Sequence, residues 1–282
     1  MAGSTFSDIS ALANSIQEQA ILVAREQSIM VGLVANYDST NEGEARKMYA
    51  YSSAGTLTQL PETTDQTPTA FAPSLLATLT PYLYTGLYTA TDMLLSSDWN
   101  NDTLATMGRD LGQRLVVDQD TKLASLFSSF TGGTVGTAGG TLTWDNVFRA
   151  SAYLRRALAP YPYSCVLAPE QRWELFRVSS GVPTLMQSPK YMDELAGSFY
   201  LGSYGGINFY EDANIAAGTA AAAGMFSREA IAVDWRRAPR IEMQRDASKG
   251  GGLWEVSFST VYAYGVYRPT FGVYMIGTTS GS

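Results

Sequence analysis

The last fifth of the chain, from Met225 onward, alternates apolar and polar residues over four runs, IAVDW, RIEMQRD, LWEVSFSTVYAYGVY and FGVYMIG. Successive side chains of a β-strand point to opposite faces of a sheet, so this period of two indicates strands with one buried face. The runs are long and closely spaced, which restricts the fold more than any other feature of the sequence. The C-terminal part of the chain is therefore predicted to be rich in β-strands.

Two upstream segments instead repeat apolar residues every three or four positions, the period of one helix face. The first runs from Thr5 to Met30, with Thr5 placed as the N-cap and Asp8 in the first turn. Its apolar positions are Phe6, Ile9, Ala13, Ile16, Ala20 and Val23. The pattern leaves open whether this helix packs on its own domain or lies as an arm on a neighbouring molecule.

The second helical segment runs from Asn100 to Phe130. At 1.5 Å per residue its roughly 28 residues predict a helix about 42 Å long. Asn101 or Asp102 can cap its start, and the Gly132-Gly133 pair ends it. The following TGGTVGTAGGT stretch lacks the GKS or GKT ending of a phosphate loop and is interpreted as a flexible connector.

Between these helices, Lys47 to Leu95 contains short runs of Thr, Tyr, Ser and Leu broken by prolines, a pattern typical of strands and turns. MYAYSSAGTLTQL is predicted to form a hairpin with its turn near Ala54-Gly55, and PETTDQTPTAFAP to form an exposed extension. A two-stranded ribbon buries too little surface to be stable alone. We therefore expect this segment to lean on another structure.

A compact α/β segment follows, and it is predicted to form a separate lobe, Gly140 to Gly224. Thr143 caps a helix reaching about Ala159, SCVLA forms a short buried strand, and Pro169-Glu170 opens a second helix to about Val178. LGSYGGINFYED predicts a glycine-bent turn feeding a strand. The Ala/Gly-rich stretch after it is interpreted as a connector ending near Gly224.

Composition removes most catalytic chemistry. The 282 residues contain no histidine and one cysteine, Cys165, so there is no Ser-His or Cys-His pair, thiolate cluster or disulfide within the chain. We interpret Cys165 as a small buried hydrophobe. Acidic pairs such as Asp118/Asp120 and Glu211-Asp212 are interpreted as solvated faces or turns. We therefore expect neither a catalytic centre nor a metal nor a cofactor.

Charge also limits the partners. The formal net charge is −7, and charged residues make up 16% of the chain, below the roughly 25% of an ordinary soluble domain. High-affinity nucleic-acid binding is excluded, and the WRRAPRIEMQR run is interpreted as salt-bridged strand edges. Low charge indicates that large areas face other protein. Neither a membrane span nor an export signal is expected.

The chain resembles the major capsid proteins of tailed bacteriophages, which share the Hong Kong 97 fold. The resemblance lies first in GMFSREAIAVDWRRAPRIEMQRD, the glycine-rich turn SKGGG and LWEVSFSTVYAYGVYRPTFGVYMI. YLRRALAPYPYSCVLAPEQRWELF and LGSYGGINFYED are similar to pieces of the family's axial domain. The order of elements matches over nearly the whole chain.

The resemblance implies an α+β, Hong Kong 97-like capsid fold for a self-assembling subunit of an icosahedral shell around double-stranded DNA. Its parts are expected to be an N-terminal arm and helix (1–46), an extended β-hairpin loop (47–95), a peripheral domain with its long spine helix (96–139), an axial domain (140–224) and the β-rich remainder of the peripheral domain (225–282). Expected subunit contacts come from the arm, the loop and the glycine turn: Phe6, Ile9, Tyr49, Tyr51, Leu57, Leu60, Phe71, Lys249, Gly250 and Gly251.

The implied partners are further copies of the chain in hexamers and pentamers, a separate scaffolding protein, a portal protein, decoration proteins and weakly contacted DNA, within a virion assembled in the host cytoplasm. A separate scaffold is expected because the first helix starts within a few residues of Met1, without the removable scaffolding segment of some family members. Other members join a loop lysine covalently to an asparagine of a neighbour. Here Lys47 lies at the base of the loop and no asparagine follows Asn214, so a non-covalent shell is expected.

Two alternatives stay open at the level of sequence. An encapsulin, a cargo-storing shell of the same fold, would share almost every feature above. A carbohydrate-binding β-rich adhesin would use exposed Tyr and Trp side chains. Genome neighbourhood distinguishes the first, and particle size distinguishes the second.

Overall fold

The computed structural model describes residues 28–39, 44–51, 59, 62, 73–93, 103–177, 200–204, 206–246, 248 and 252–279. Its α-helices are α1 (Met30–Leu33), α2 (Thr103–Ser125), α3 (Trp144–Arg156) and α4 (Pro169–Arg177). Its strands are β1 (Ala35–Asp38), β2 (Arg46–Tyr51), β3 (Pro73–Leu79), β4 (Tyr82–Thr91), β5 (Thr134–Gly136), β6 (Tyr163–Leu167), β7 (Tyr200–Tyr204), β8 (Ile207–Glu211), β9 (Ala221–Ser227), β10 (Ile231–Asp246), β11 (Leu253–Val266) and β12 (Gly272–Gly277).

One sheet has four strands in the order β1-β10-β11-β4. The two long C-terminal strands pair antiparallel through its centre, which confirms the strands predicted from the period of two. Helix α2 covers one face, where Leu111 and Leu115 pack with Ile241, Val256 and Phe258. The long helix is confirmed as well, although its last turn, Leu126–Ser129, tightens into a 3₁₀ helix.

The second sheet has six strands in the order β5-β12-β9-β6-β8-β7. Together with α3 and α4 we call it the six-stranded lobe. Strand β6 is buried along its whole length, as the SCVLA run predicts, and Thr143 Oγ1 accepts a hydrogen bond from the Asn146 amide at the start of α3. Leu154, Cys165 and Phe209 lie in its core.

Strands β2 and β3 form a separate antiparallel ribbon. The described partner of β2 is β3: Arg46 lies opposite Leu79, and Tyr51 lies opposite Pro73. The predicted turn near Ala54-Gly55 and the strand after it lie outside the described residues. Proline is tolerated at the first position of β3, where no ladder amide is lost inside the strand. Pairing is decided by which segments meet in space, and local composition does not encode that choice.

The structure corrects three local interpretations of the sequence. The Ala/Gly-rich stretch predicted to be a connector ends in strand β9, which lies between β12 and β6. Its small residues let aromatic rings pack closely, because a methyl group on Gly224 would lie 2.7 Å from the Phe127 ring. Part of the glycine-rich connector forms β5, parallel to β12. Asp120 and Asp212 are fully buried rather than solvated.

None of the helices in the described part of the chain is both long and apolar enough to cross a membrane.

Candidate subunit-contact surfaces

The β2–β3 ribbon exposes apolar side chains. Tyr49 and Leu75 lie directly opposite each other, and each is about half exposed, while Leu76 is exposed on the adjoining position. The ribbon contacts the rest of the subunit mainly through its base, where Met48 and Leu79 pack with Ala232 and Ala263. Exposed apolar side chains on a ribbon with so little support mark a surface suited to contact with another molecule.

Strand β4 has a second exposed apolar surface. Leu83 and Leu87 are each 60% exposed on one face, whereas Tyr84 and Tyr88 on the other face pack toward α2. The buried face is fixed by rings and a cation: Tyr84 stacks on Tyr262 with centroids 4.4 Å apart, and Lys122 Nζ lies 3.6 Å from the Tyr84 centroid. Burial is the main cause that raises the pKa of Tyr84 to about 12. The strand is held rigidly from one side and open on the other.

Strand β4 pairs only with β11, and its second edge has no partner among the described strands. An open edge of ten residues presents backbone amides and carbonyls to any strand of suitable length. The segment from Pro73 to Thr91 contains no charged residue that would repel such a partner. The edge of β4 therefore offers backbone pairing to another chain beside the exposed Leu83 and Leu87 of the same strand.

The ribbon is anchored at its base by a buried carboxylate, Asp234. It accepts hydrogen bonds from Ser39 Oγ at 2.8 Å and from Arg236 Nε at 3.0 Å, and Arg46 Nη1 lies 3.4 Å away. The Arg46 guanidinium also stacks over the Tyr37 ring at 4.4 Å. The predicted salt bridging of the WRRAPRIEMQR run is confirmed here, and it fixes where the ribbon leaves the sheet.

A second buried carboxylate, Asp120 on α2, holds the chain where it enters α1. Ser28 Oγ and the amides of Ile29 and Met30 donate to it at 3.1, 3.2 and 3.3 Å. Burial, and next the charge of Asp212, raise the pKa of Asp120 to about 6, against the opposing effect of these hydrogen bonds. Burial also raises the pKa of Asp212, against hydrogen bonds from Asn214. Two carboxylates thus share a poorly solvated region.

The described residues contain no group of three or more His, Cys, Asp or Glu side chains placed to hold a metal ion. Cys165 is completely buried, as predicted, and burial raises the pKa of its thiol, so it stays protonated and unreactive. An open pocket of about 470 Å³ at the base of the ribbon is lined by charges of both signs, including Glu44, Lys47 and Arg236.

Of the predicted contact residues, the structure describes two. Tyr49 is exposed on β2, and Tyr51 ends the same strand opposite Pro73. The other eight lie outside the described residues: Phe6, Ile9, Leu57, Leu60, Phe71, Lys249, Gly250 and Gly251. The contact role of all ten stays a prediction.

Sequence reasoning missed Leu75, Leu76, Leu83 and Leu87. A signal was present, because Leu83 and Leu87 occupy one face of an alternating strand whose other face carries Tyr84 and Tyr88. Which of two apolar faces is buried depends on where α2 packs, and the alternation alone does not give that choice.

Comparison with known proteins agrees with this architecture. The chain matches a family model described as "Phage capsid protein" over residues 75–275. No curated protein sequence matches the chain. Neither an encapsulin nor a carbohydrate-binding adhesin is favoured by this family match.

Solved structures share the fold at low sequence identity. A structure from Mycobacterium phage Che8 superposes with a TM-score of 0.70 at 17% identity, covering 91% of this chain and 93% of that one. The head structure of Helicobacter pylori bacteriophage KHP40 gives 0.69 at 10% identity, covering 90% and 92%. The capsid of Cyanophage P-SCSP1u gives 0.65 at 13% identity, covering 88% of each chain.

The expected α+β architecture is thus confirmed, and with it the Hong Kong 97-like arrangement of helices and sheets. The family match runs from β3 to β12 and includes α2, α3 and α4, so it covers most of both sheets. The chain belongs to the phage capsid protein family and is a major capsid protein of the tailed-phage type.

Proposed function

We propose that copies of this chain assemble into hexamers and pentamers of a closed icosahedral shell, and that the β2–β3 ribbon packs on an adjacent subunit to drive assembly. The observation that carries the proposal is the exposed apolar surface shared by the ribbon and β4. The chain acts structurally and catalyses no reaction. Its position is the wall of the virion capsid, after assembly in the host cytoplasm.

The isolated subunit exposes apolar side chains whose burial would stabilise a contact with a neighbour. Leu75, Leu83 and Leu87 each expose more than half of their side chains. Burying a leucine side chain contributes about 1.5–3 kcal/mol, so three such side chains supply several kcal/mol toward each contact. Shell interfaces above about 2,000 Å² are large enough to accommodate them. In a closed lattice every subunit repeats the same contribution.

The domain division proposed for the shell subunit follows the expected order: arm and helix 1–46, extended loop 47–95, peripheral domain with spine helix 96–139, axial domain 140–224, and peripheral domain 225–282. Strands β5 and β12 lie outside 140–224 in sequence, yet they pair within the six-stranded sheet of the axial domain. Strand β4 lies within the proposed loop but pairs with β11 of the four-stranded sheet, so the loop projects from a base already built into that sheet. This arrangement supports a rigid projection.

The proposed partners beyond further copies are a separate scaffolding protein, a portal protein and decoration proteins, with weak non-specific contact to packaged DNA. The net charge of −7 supports only weak contact, because tight binding needs many cationic contacts to phosphates.

Deleting Thr56–Thr69 tests the ribbon directly, because it removes the connection beyond β2 and β3 while leaving both strands in place. The deleted chain should stay folded yet fail to form closed shells by electron microscopy. A second variant, Leu75→Ser with Leu76→Ser, should weaken assembly without a deletion. Val117→Ser is the matched control, since Val117 is equally exposed but lies on α2. Normal particles from both ribbon variants would refute the proposal.

A further inference from the structure

The turn between α3 and β6 is the most exposed apolar feature of the six-stranded lobe. Leu158 is 85% exposed, Tyr161 is about half exposed, and Pro160 and Pro162 are exposed beside them. We call residues 158–162 the knuckle. A run of exposed apolar residues at a single turn is unusual on a soluble surface unless something covers it.

Leu158 adopts a left-handed backbone conformation, with φ at 57°. It follows the C-cap of α3 in a Schellman motif: the Leu158 amide donates to the Arg155 carbonyl and the Ala159 amide to the Leu154 carbonyl, both at 3.0 Å. Glycine normally occupies this position, because a Cβ strains the left-handed conformation. Leu158 strains the backbone, and the described residues bury little of its side chain in compensation.

The knuckle is nevertheless rigid. Tyr161 stacks on the buried Tyr163 with centroids 4.3 Å apart, and Tyr163 donates to the Ala159 carbonyl at 3.1 Å. Arg155 Nε donates to the Tyr161 hydroxyl, and the guanidinium lies 5.3 Å from the ring centroid. On the other side, Gly206 packs so closely that a methyl group there would lie 3.0 Å from the Tyr161 ring. A preformed apolar surface loses little conformational entropy on binding.

Charge divides the lobe into two ends. Arg155 and Arg156 are exposed beside the knuckle, at the end of α3, whereas Asp145 at the start of α3 is exposed. From the knuckle, β6 leads away to the start of α4, where Glu170 is exposed.

Packing across the sheet agrees with this polarity. A methyl group on Gly277 would lie 2.8 Å from Leu142, just before α3, whereas one on Gly133 would touch Tyr153 near its end. The start and the end of helix α3 therefore lie at opposite ends of the lobe. One end of the lobe is apolar and basic. At the other end Asp145 and Glu170 are exposed, and the charge of Arg172 is balanced by its ion pair with Glu211, so this end is acidic on balance.

We propose that the knuckle of one copy packs against the acidic end of the six-stranded lobe of a second copy, head to tail around a ring. The inference rests on the proposed assembly and names a contact within it. A head-to-tail contact between two different surfaces closes into a ring when its rotation permits, which is what a capsomer requires. Opposite charges at the two ends fix the orientation of neighbours.

The substitution Leu158→Gly distinguishes a role of Leu158 in the contact between copies from a role in folding of the subunit. Glycine fits the left-handed position, so the urea midpoint of the unassembled subunit should stay at or above the wild-type value. Assembly should fall, because losing one buried leucine lowers an association constant about tenfold or more. Leu158→Asn, which also tolerates this conformation, should behave alike. Sedimentation at matched concentrations reads the assembled fraction, from capsomers upward.

A charge exchange tests the acidic partner. Arg156→Glu alone and Glu170→Arg alone should each reduce the assembled fraction, whereas the double variant should recover most of it. Wild-type assembly by Leu158→Gly, or no recovery in the double variant, overturns the head-to-tail contact while leaving the proposed shell function intact. Intact particles that lose another virion protein would assign the knuckle to that protein and also overturn it. A wild-type chain that never assembles would instead count against the proposed function.

Discussion

Replacing Asp212 with asparagine should stabilise the unassembled subunit at neutral pH and leave its stability near pH 4 unchanged. Asp212 is buried with Asp120, and its Oδ2 has no hydrogen-bond partner among the described residues. Its Oδ1 accepts the Asn214 amide at 2.8 Å, and asparagine keeps that oxygen. The substitution therefore removes a buried negative charge while preserving the turn.

The magnitude follows from Asp120. Its pKa of about 6 in the folded protein stands about 2 above the ordinary aspartate value, which corresponds to about 3 kcal/mol. Because the pKa of Asp120 is higher in the folded protein than in the unfolded chain, this contribution to the free energy of unfolding is fully present below pH 4. It is lost as the pH rises through 6. Burial of Asp120 is the larger cause of its raised pKa, and that burial remains in the Asp212→Asn variant. We therefore expect Asp212→Asn to recover about 1–2 kcal/mol at pH 7.5.

Urea unfolding at pH 4.0, 5.0, 6.0 and 7.5 measures the difference between variant and wild type, in which the other carboxyl groups cancel. Glu255→Gln is the control, since it makes the same change in net charge on a partly exposed strand position. The reasoning fails if the stability difference between Asp212→Asn and wild type is independent of pH, or if the variant is the less stable protein at pH 7.5.

Three further predictions concern packing, a buried ion cluster and the finished shell. Gly224→Ala should cost about 1–3 kcal/mol in urea unfolding, because its methyl group meets Phe127, whereas Gly218→Ala, with open space around it, should cost almost nothing. Asp234→Ala should cost about 3–5 kcal/mol, because it takes the carboxylate from the buried Arg236; equal stability of variant and wild type would contradict this role. Mature particles boiled in detergent should release one band near 30.5 kDa, and a ladder of covalent oligomers would disprove a non-covalent shell.

Local patterns predicted much of the fold. The period of two gave the long C-terminal strands, the helical period gave α2, and Thr143 and Pro169 marked the starts of α3 and α4. These features are readable because each depends on residues within a few positions of one another. The family resemblance then supplied the order of the parts.

The candidate surfaces were less accessible. Alternation in β4 showed two apolar faces, and only the packing of α2 decided that Tyr84 is covered while Leu83 is exposed. The left-handed Leu158 gave no signal, because a leucine after a helix is compatible with many backbone conformations. Its exposure and strain became visible only with the turn in place.

By itself, the sequence determined the helices α2, α3 and α4 and the long strands β10 and β11, and it excluded histidine- and thiolate-cluster chemistry. It did not reveal β5 and β9, which lie in segments that read as connectors. Tertiary structure decided the pairings: β2 with β3, β9 between β12 and β6, and Asp120 with a carboxylate 92 residues away. The physical reason is range. Periodicity and capping act over a few residues, whereas strand pairing and the burial of charge depend on which distant segments exclude water together.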